Sequence, residues 1–472
     1  MKPPAPISNP QKADTGSRGE ASGLAEVTKL SLAVQLGSRA LGFMANLLLV
    51  RWFSPDLVGA FALVTGTAQV LSTLARLGTD YSFQVETGRL AAAERPALQR
   101  TFVLFNLVTS VLASALALPG LRQALGPAAG SLPLGLALLA YLVLESYVDV
   151  LWEPVLAERR YRRVFLRHLQ VAAWRGGLTL ALGLWLGWAG LVLGLLLASA
   201  VNVGQALVAL AGSGGGPVRT DLLRLLLREG LPVYGVPLAQ QLVFWLLLLQ
   251  LGAGGGLARV GLVKVAQLVV QVVGLLPGAL APILRVECAL DGEGRRPALQ
   301  RGLGLVMGSG LLVFAAYSLV DTWLLPALFG PAYAAARQPA RALVLAAVCS
   351  GTSQLFLQQA LRGQELRLVS ALQVLPVLLL APLGWGWLLP QQGAAGYAVL
   401  QLLVALATLI ALTLQDRRGL LRSPALLLPW LALLLALPLA LTGGGAPAGA
   451  ASLLGLASGG LAALALARGR RP

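Results

Sequence analysis

Gln35, Arg39, Gly42 and Asn46 recur at i, i+4, i+7 and i+11 inside an apolar stretch, about residues 30–50. That spacing puts them on one face of a helix. Arg39 lies near the middle of the stretch, about 15 Å from either end at 1.5 Å per residue. An ionisable side chain at that depth is costly unless it meets water or a partner, so the face is expected to line a cavity. A guanidinium there attracts anions strongly in a low dielectric, and its planar fork can bond two phosphate oxygens. The plainer alternative is an arginine bonded to carbonyls of a neighbouring helix.

Other ionisable residues fall in similar stretches. Lys264 lies a few residues inside one of them and suits either an anion or snorkelling to the surface. Glu145 and Asp149 are four apart on one helix face, with Glu153 continuing the row. They suit a proton or cation site, or partners for buried arginines. Arg76 and Asp80 have the spacing of a local ion pair. Arg175 is expected to snorkel, Asp321 to sit at the interface, and His168 to be a solvated residue of a basic loop. Cys288 and Cys349 lie too far apart in sequence for a disulfide framework or a metal motif. No GxxxxGK[ST] nucleotide loop occurs. No cofactor is therefore expected.

The elements that must position these residues follow from composition. The chain has 472 residues, 57% hydrophobic and 12% charged, with mean hydropathy +0.76. Soluble domains are about 25% charged, so this is an all-α polytopic membrane protein. Apolar runs of about 20 residues recur along it and read as about 14 transmembrane helices. Residues 1–28 are polar, and are expected to form a disordered cytoplasmic tail rather than a signal peptide.

The net charge of +17 raises nucleic acid as a partner. The distribution argues otherwise. Of 36 Lys and Arg, 27 fall in alternate segments on one side, against five (Arg51, Arg122, Arg259, Arg337 and Arg341) on the other. The positive-inside rule then places both termini in the cytoplasm. The basic charge belongs to the surface of membrane lipids, and no nucleic acid is needed.

The hexapeptide RPALQR occurs at residues 95–100 and again at 296–301, a step of 201. Matching apolar segments keep nearly the same step, and LGP at 125–127 pairs with FGP at 329–331. The pattern predicts two six-helix lobes, 29–212 and 213–416, with two extra helices in 417–472. Six spans is an even number, so the lobes are parallel repeats about an axis along the membrane normal. They should enclose a central cavity. The step superposes Arg39 on Gln240, which places the two facing each other across it. Residues 212–217 form a Gly-rich hinge, and the basic segment 219–229 suits a surface helix or a solvated loop.

The turn VRWFSPDLVGAFAL, with Arg51, Pro55, Asp56 and Gly59, resembles the Arg-x-x-x-Pro-(Asp/Glu)-x-x-Gly turn of bacterial polysaccharide-export flippases of the Wzx type. Those flippases belong to the multidrug/oligosaccharidyl-lipid/polysaccharide (MOP) transporter superfamily. LFGPAYAAA at 328–336 is similar to the family's Leu-Phe-Gly-Pro-Glu-Tyr turn, with Ala332 in place of the acid. The resemblance spans about residues 29–467. It implies a non-enzymatic flippase for a polyprenyl-pyrophosphate-linked oligosaccharide in the bacterial cytoplasmic membrane, working by alternating access. Glycosyltransferases or a polymerase of the same pathway would be its partners. In this reading Arg39 and Lys264 hold the pyrophosphate, while Gln35, Asn46 and Gln240 contact sugar. A drug/cation antiporter of the same superfamily would use Glu145 and Asp149 as its ion site. A membrane glycan ligase or polymerase is the enzymatic rival, and the short outer loops speak against it.

Overall fold

The computed structural model describes residues 17–158, 160–211, 216–273, 295–360, 366–415 and 427–442. Among these residues the chain is helical, with no strand. Eight of the helices are long and apolar enough to cross a membrane. Cys288, the greater part of the expected hinge and the last expected span fall outside the described residues.

The N-terminal half comprises α1 (Ser17–Trp52), α2 (Pro55–Arg76), α3 (Thr79–Arg89), α4 (Arg95–Leu125), α5 (Leu132–Ala157) and α6 (Tyr161–Leu210). The C-terminal half comprises α7 (Thr220–Gly255), α8 (Leu257–Val273), α9 (Arg295–Phe329), α10 (Arg337–Ala360), α11 (Leu366–Leu383) and α12 (Ala394–Gln415). Helix α13 (Leu427–Thr442) packs against α9 and α10. Helix α1 begins at Ser17, so part of the segment expected to be an irregular tail is helical. Likewise the basic segment 219–229 is no separate surface helix; it runs straight on into α7.

Local chemistry sets the boundaries. Ser54 caps α2, its side chain accepting from the Leu57 N–H, with Pro55 in the first turn where its missing N–H costs nothing. The helix ends at Leu77 and Gly78, both left-handed (φ 46° and 77°), and the chain turns directly into α3. Gly187 (φ 61°) breaks α6 into a hairpin. A Cβ on Gly190 would lie 1.8 Å from the Leu182 carbonyl oxygen, so the two arms pack backbone against backbone.

The element order repeats. RPALQR opens α4 in one half and α9 in the other. Each of these long helices ends at a positive-φ glycine, Gly126 (φ 55°) and Gly330 (φ 99°), followed by a 3-10 turn. The hairpin at Gly187 has its counterpart at Gly393 (φ 57°) between α11 and α12.

The two halves approach backbone to backbone at two places. At the start of α2, a Cβ on Gly59 would lie 1.8 Å from the Leu257 carbonyl oxygen, and one on Gly261 2.4 Å from that of Pro55. The Asp56 carboxylate accepts there from the Ala258 N–H at 3.0 Å. At the far end, about 28 Å along at 1.5 Å per residue, Gly78 and Gly230 face each other; a Cβ on either would lie 2.4 Å from the other's carbonyl oxygen. Ser82 Oγ donates to the Leu226 carbonyl across this contact at 2.7 Å. This second end is the basic one. Arg219 bridges to Glu94 at 3.3 Å and to Asp221 at 2.6 Å. The Arg219 hydrogen bond holds the exposed Asp221 carboxyl below its usual range.

Asp321, expected near the outer membrane interface, has its side chain inside the protein rather than at its surface. It is fully buried, and both its oxygens bind Arg341, at 2.5 and 3.1 Å, while Arg337 lies 3.8 Å away. A carboxylate on α9 facing arginines on α10 is held in the core because the pairing compensates its desolvation.

Candidate functional site

Between the two contacts the halves part around a cavity of about 960 Å³. That is the upper end of the range for ligand pockets, about 300–1,000 Å³. Helix α2 runs along it and presents Thr65, Gln69, Ser72, Thr73 and Arg76 at helical spacing. Helix α6 adds His168, Val171, Ala172 and Arg175, spaced i, i+3, i+4 and i+7, one face again. Helix α5 contributes Glu145 and Asp149. From the C-terminal half come Gln240 and Gln241 on α7, Lys264 and Gln267 on α8, and Gln401 on α12.

The charges contributed by the N-terminal half are paired. Arg175 donates to Glu145 at 2.7 Å and to the Tyr141 hydroxyl at 3.0 Å, and Glu145 also accepts from Ser199 at 2.6 Å. Asp149 accepts from Arg167 at 2.8 Å, and Arg167 donates also to Asn202 at 3.0 Å while lying over the Trp152 ring at 5.1 Å. Arg76 reaches Asp80 at 3.4 Å and the Ser72 carbonyl at 2.8 Å. Lys264 differs. Its ammonium lies 5.9 Å from the Phe61 ring centroid, a cation–π contact. Among the described residues no carboxylate lies within ion-pair distance of it.

Five residues singled out from sequence therefore share the cavity wall: Asn46, Gln240, Lys264, Glu145 and Asp149. Arg39 does not join them. Its side chain is exposed on α1 and lies outside the cavity lining, so Arg39 and Gln240 do not face each other across it. The reason is packing: α1 lies chiefly along α6 and touches α2 and α8 little, so only its later turns, at Gly42 and Asn46, reach the cavity. Asn46 donates to the Gly42 carbonyl at 2.7 Å. The side chain of Gln35 is outside the described residues.

Two cavity residues were misplaced by sequence reasoning. Arg175 does not snorkel, and His168 lies on α6 rather than in a loop, its Nδ1 2.7 Å from the Val164 carbonyl oxygen. The expected Arg76–Asp80 pair forms, and Arg76 also lines the cavity. The stripe 168-171-172-175 was visible as a helical face. The apparent loop boundary before residue 169 hid it.

No protein-family profile matches the sequence, and no curated protein matches it either. Solved structures do. The architecture is one used by membrane transporters. An inward-facing multidrug resistance MATE family transporter of the MOP superfamily superposes with a TM-score of 0.59 at 15% identity, covering 83% of this chain and 98% of that one. The eukaryotic MATE transporter AtDTX14 gives 0.55 at 14% identity, over 85% and 96%. The lipid II flippase MurJ, in an inward closed conformation, gives 0.70 at 12% identity, over 93% of this chain and 99% of that one. The chain has the transporter fold of these proteins and is a multi-pass membrane protein.

Proposed function

We propose that this chain is a flippase that moves a lipid-linked oligosaccharide with an anionic pyrophosphate head group across the bacterial cytoplasmic membrane. The observation that carries the reading is Lys264, half-buried in a large cavity between the halves with no carboxylate partner among the described residues. A lone cation at membrane depth is costly, and an entering anion offsets that cost in a low dielectric. The likeness in fold to MurJ, a lipid II flippase, supports a lipid-linked cargo.

The two halves act as lobes, 29–212 and 213–416. The basic end faces the cytoplasm, where the excess of Lys and Arg holds it. The Gly78–Gly230 contact is then the inner seal and the Gly59–Gly261 contact the outer one. Opening them in turn gives alternating access, with the lipid tail remaining in the bilayer. Pathway enzymes that build or polymerise the glycan are the natural neighbours. Cation antiport would call for a free acid in the cavity. Glu145 and Asp149 are each engaged by an arginine, at 2.7 and 2.8 Å, which weighs against that reading.

Replacing Lys264 tests the proposal. Lys264→Ala should abolish surface-glycan export while the protein still reaches the membrane, and Lys264→Arg should retain part of it. Export at the wild-type level by Lys264→Ala would sink the reading.

A further inference from the structure

We propose that the C-terminal half holds a separate subsite for the sugar of the cargo, an inference that rests on the lipid-linked substrate proposed above. A second cavity, of about 210 Å³, opens beside the main one and shares Gln240, Phe244, Gln267 and Gln401 with it. It continues between α10, α11 and α12, where Gln354, Gln373 and Thr408 line it. None of its lining residues is charged. Such a wall offers a pyrophosphate hydrogen bonds but no counter-charge.

Two side chains point to a ligand. Gln373 is 2% exposed and Thr408 4% exposed, yet among the described residues Gln373 Nε2 and Thr408 Oγ1 have no hydrogen-bond partner. A buried polar atom without a partner has lost its bonds to water and gained none in return, so each such atom in a folded protein calls for an explanation. Gln373 also accepts through its backbone carbonyl from Gln240 Nε2 at 3.3 Å, which ties the small cavity to the wall of the large one.

The chemistry selects the ligand class. Amides offer a carbonyl acceptor beside an NH₂ donor, and hydroxyls do both. Sugar hydroxyls also donate and accept, and carry no charge. The volume is below that of drug-sized sites, about 300–1,000 Å³, which suits a single sugar unit rather than a whole oligosaccharide. Placement agrees. Lys264 and Gln267 are three residues apart on α8, about 4.5 Å of rise, and both line the main cavity. A phosphate at Lys264 would therefore set the sugar bonded to it beside the amides.

The test uses the purified full-length protein and two kinds of probe. One is farnesyl pyrophosphate, which has no sugar. The other is a panel of the same prenyl pyrophosphate carrying glucose, galactose or N-acetylglucosamine. At least one panel member should bind wild type more tightly than farnesyl pyrophosphate. The variant Gln373→Leu with Thr408→Val should lose that advantage, about tenfold in affinity if two hydrogen bonds of roughly 0.5–1.5 kcal/mol each are removed, with farnesyl pyrophosphate binding unchanged. Thr408→Val alone, nearly isosteric, should lose a smaller part of it. No preference for any sugar in wild type overturns the subsite, as does an equal loss for both probes or no loss for either. Failure of wild type to bind farnesyl pyrophosphate refutes instead the pyrophosphate cargo, and the subsite with it.

Discussion

The two halves of the molecule treat charge in opposite ways. The N-terminal half lines the cavity with Arg76, Glu145, Asp149 and Arg175, and each is bonded to a partner of opposite sign. The C-terminal half lines it with amides and places one charge there, Lys264, without a carboxylate partner among the described residues. Its other strong pair, Asp321 with Arg341, is fully buried away from the cavity. Pairing fixes helices; a group left unpaired is available to a ligand. On the cavity wall the paired charges of the N-terminal half therefore brace its helices, while under the proposed function the amides and Lys264 of the C-terminal half are the groups left to contact cargo.

That contrast can be broken in three further ways. The largest effect is expected at Asp321→Ala, which strands Arg341 in the core and should cost about 3–5 kcal/mol of stability. Thermal unfolding in detergent would measure it; an unchanged melting temperature would deny the pair its structural role. A middle effect is expected at Glu145→Gln. This releases Arg175 into the cavity, so farnesyl pyrophosphate should bind several-fold more tightly by titration. Weaker binding would mean that the pair itself receives the ligand. The smallest effect is expected at Arg39→Ala. Its side chain lies off the cavity, so surface-glycan export should fall far less than with Lys264→Ala. A comparable loss would return α1 to the site.

Much of the architecture was legible in the sequence because it rests on local signals. Apolar length marked the spans. The hexapeptide marked two equivalent helix starts, and LGP and FGP marked two equivalent turns at positive-φ glycines. The cavity wall was legible only in part. Asn46, Gln240, Lys264, Glu145 and Asp149, which line it, stood out because a polar residue in an apolar helix needs a reason. Arg39 satisfied the same rule and lies elsewhere, since depth in a helix says nothing about which neighbour that helix packs on. Arg175 and His168 were discounted because a span edge was assumed near residue 169, where the first arm of α6 runs on from Tyr161 as far as the break at Gly187. The pairing of Asp321 was not legible because its partners lie 16 and 20 positions further along the chain, on or at the start of another helix. The Gln373 and Thr408 cavity needed three helices placed together and left no mark on any one of them.

The backbone contacts at the two ends have a practical consequence. Both contacts bring backbone against backbone with no room for a methyl group: at Gly59 a Cβ would lie 1.8 Å from a carbonyl oxygen, at Gly78 2.4 Å. An alanine at either position acts as a wedge rather than a weak spot. For a flippase working by alternating access, as proposed above, one mouth would be propped ajar while the other keeps its fit, and single substitutions would trap it in a chosen orientation.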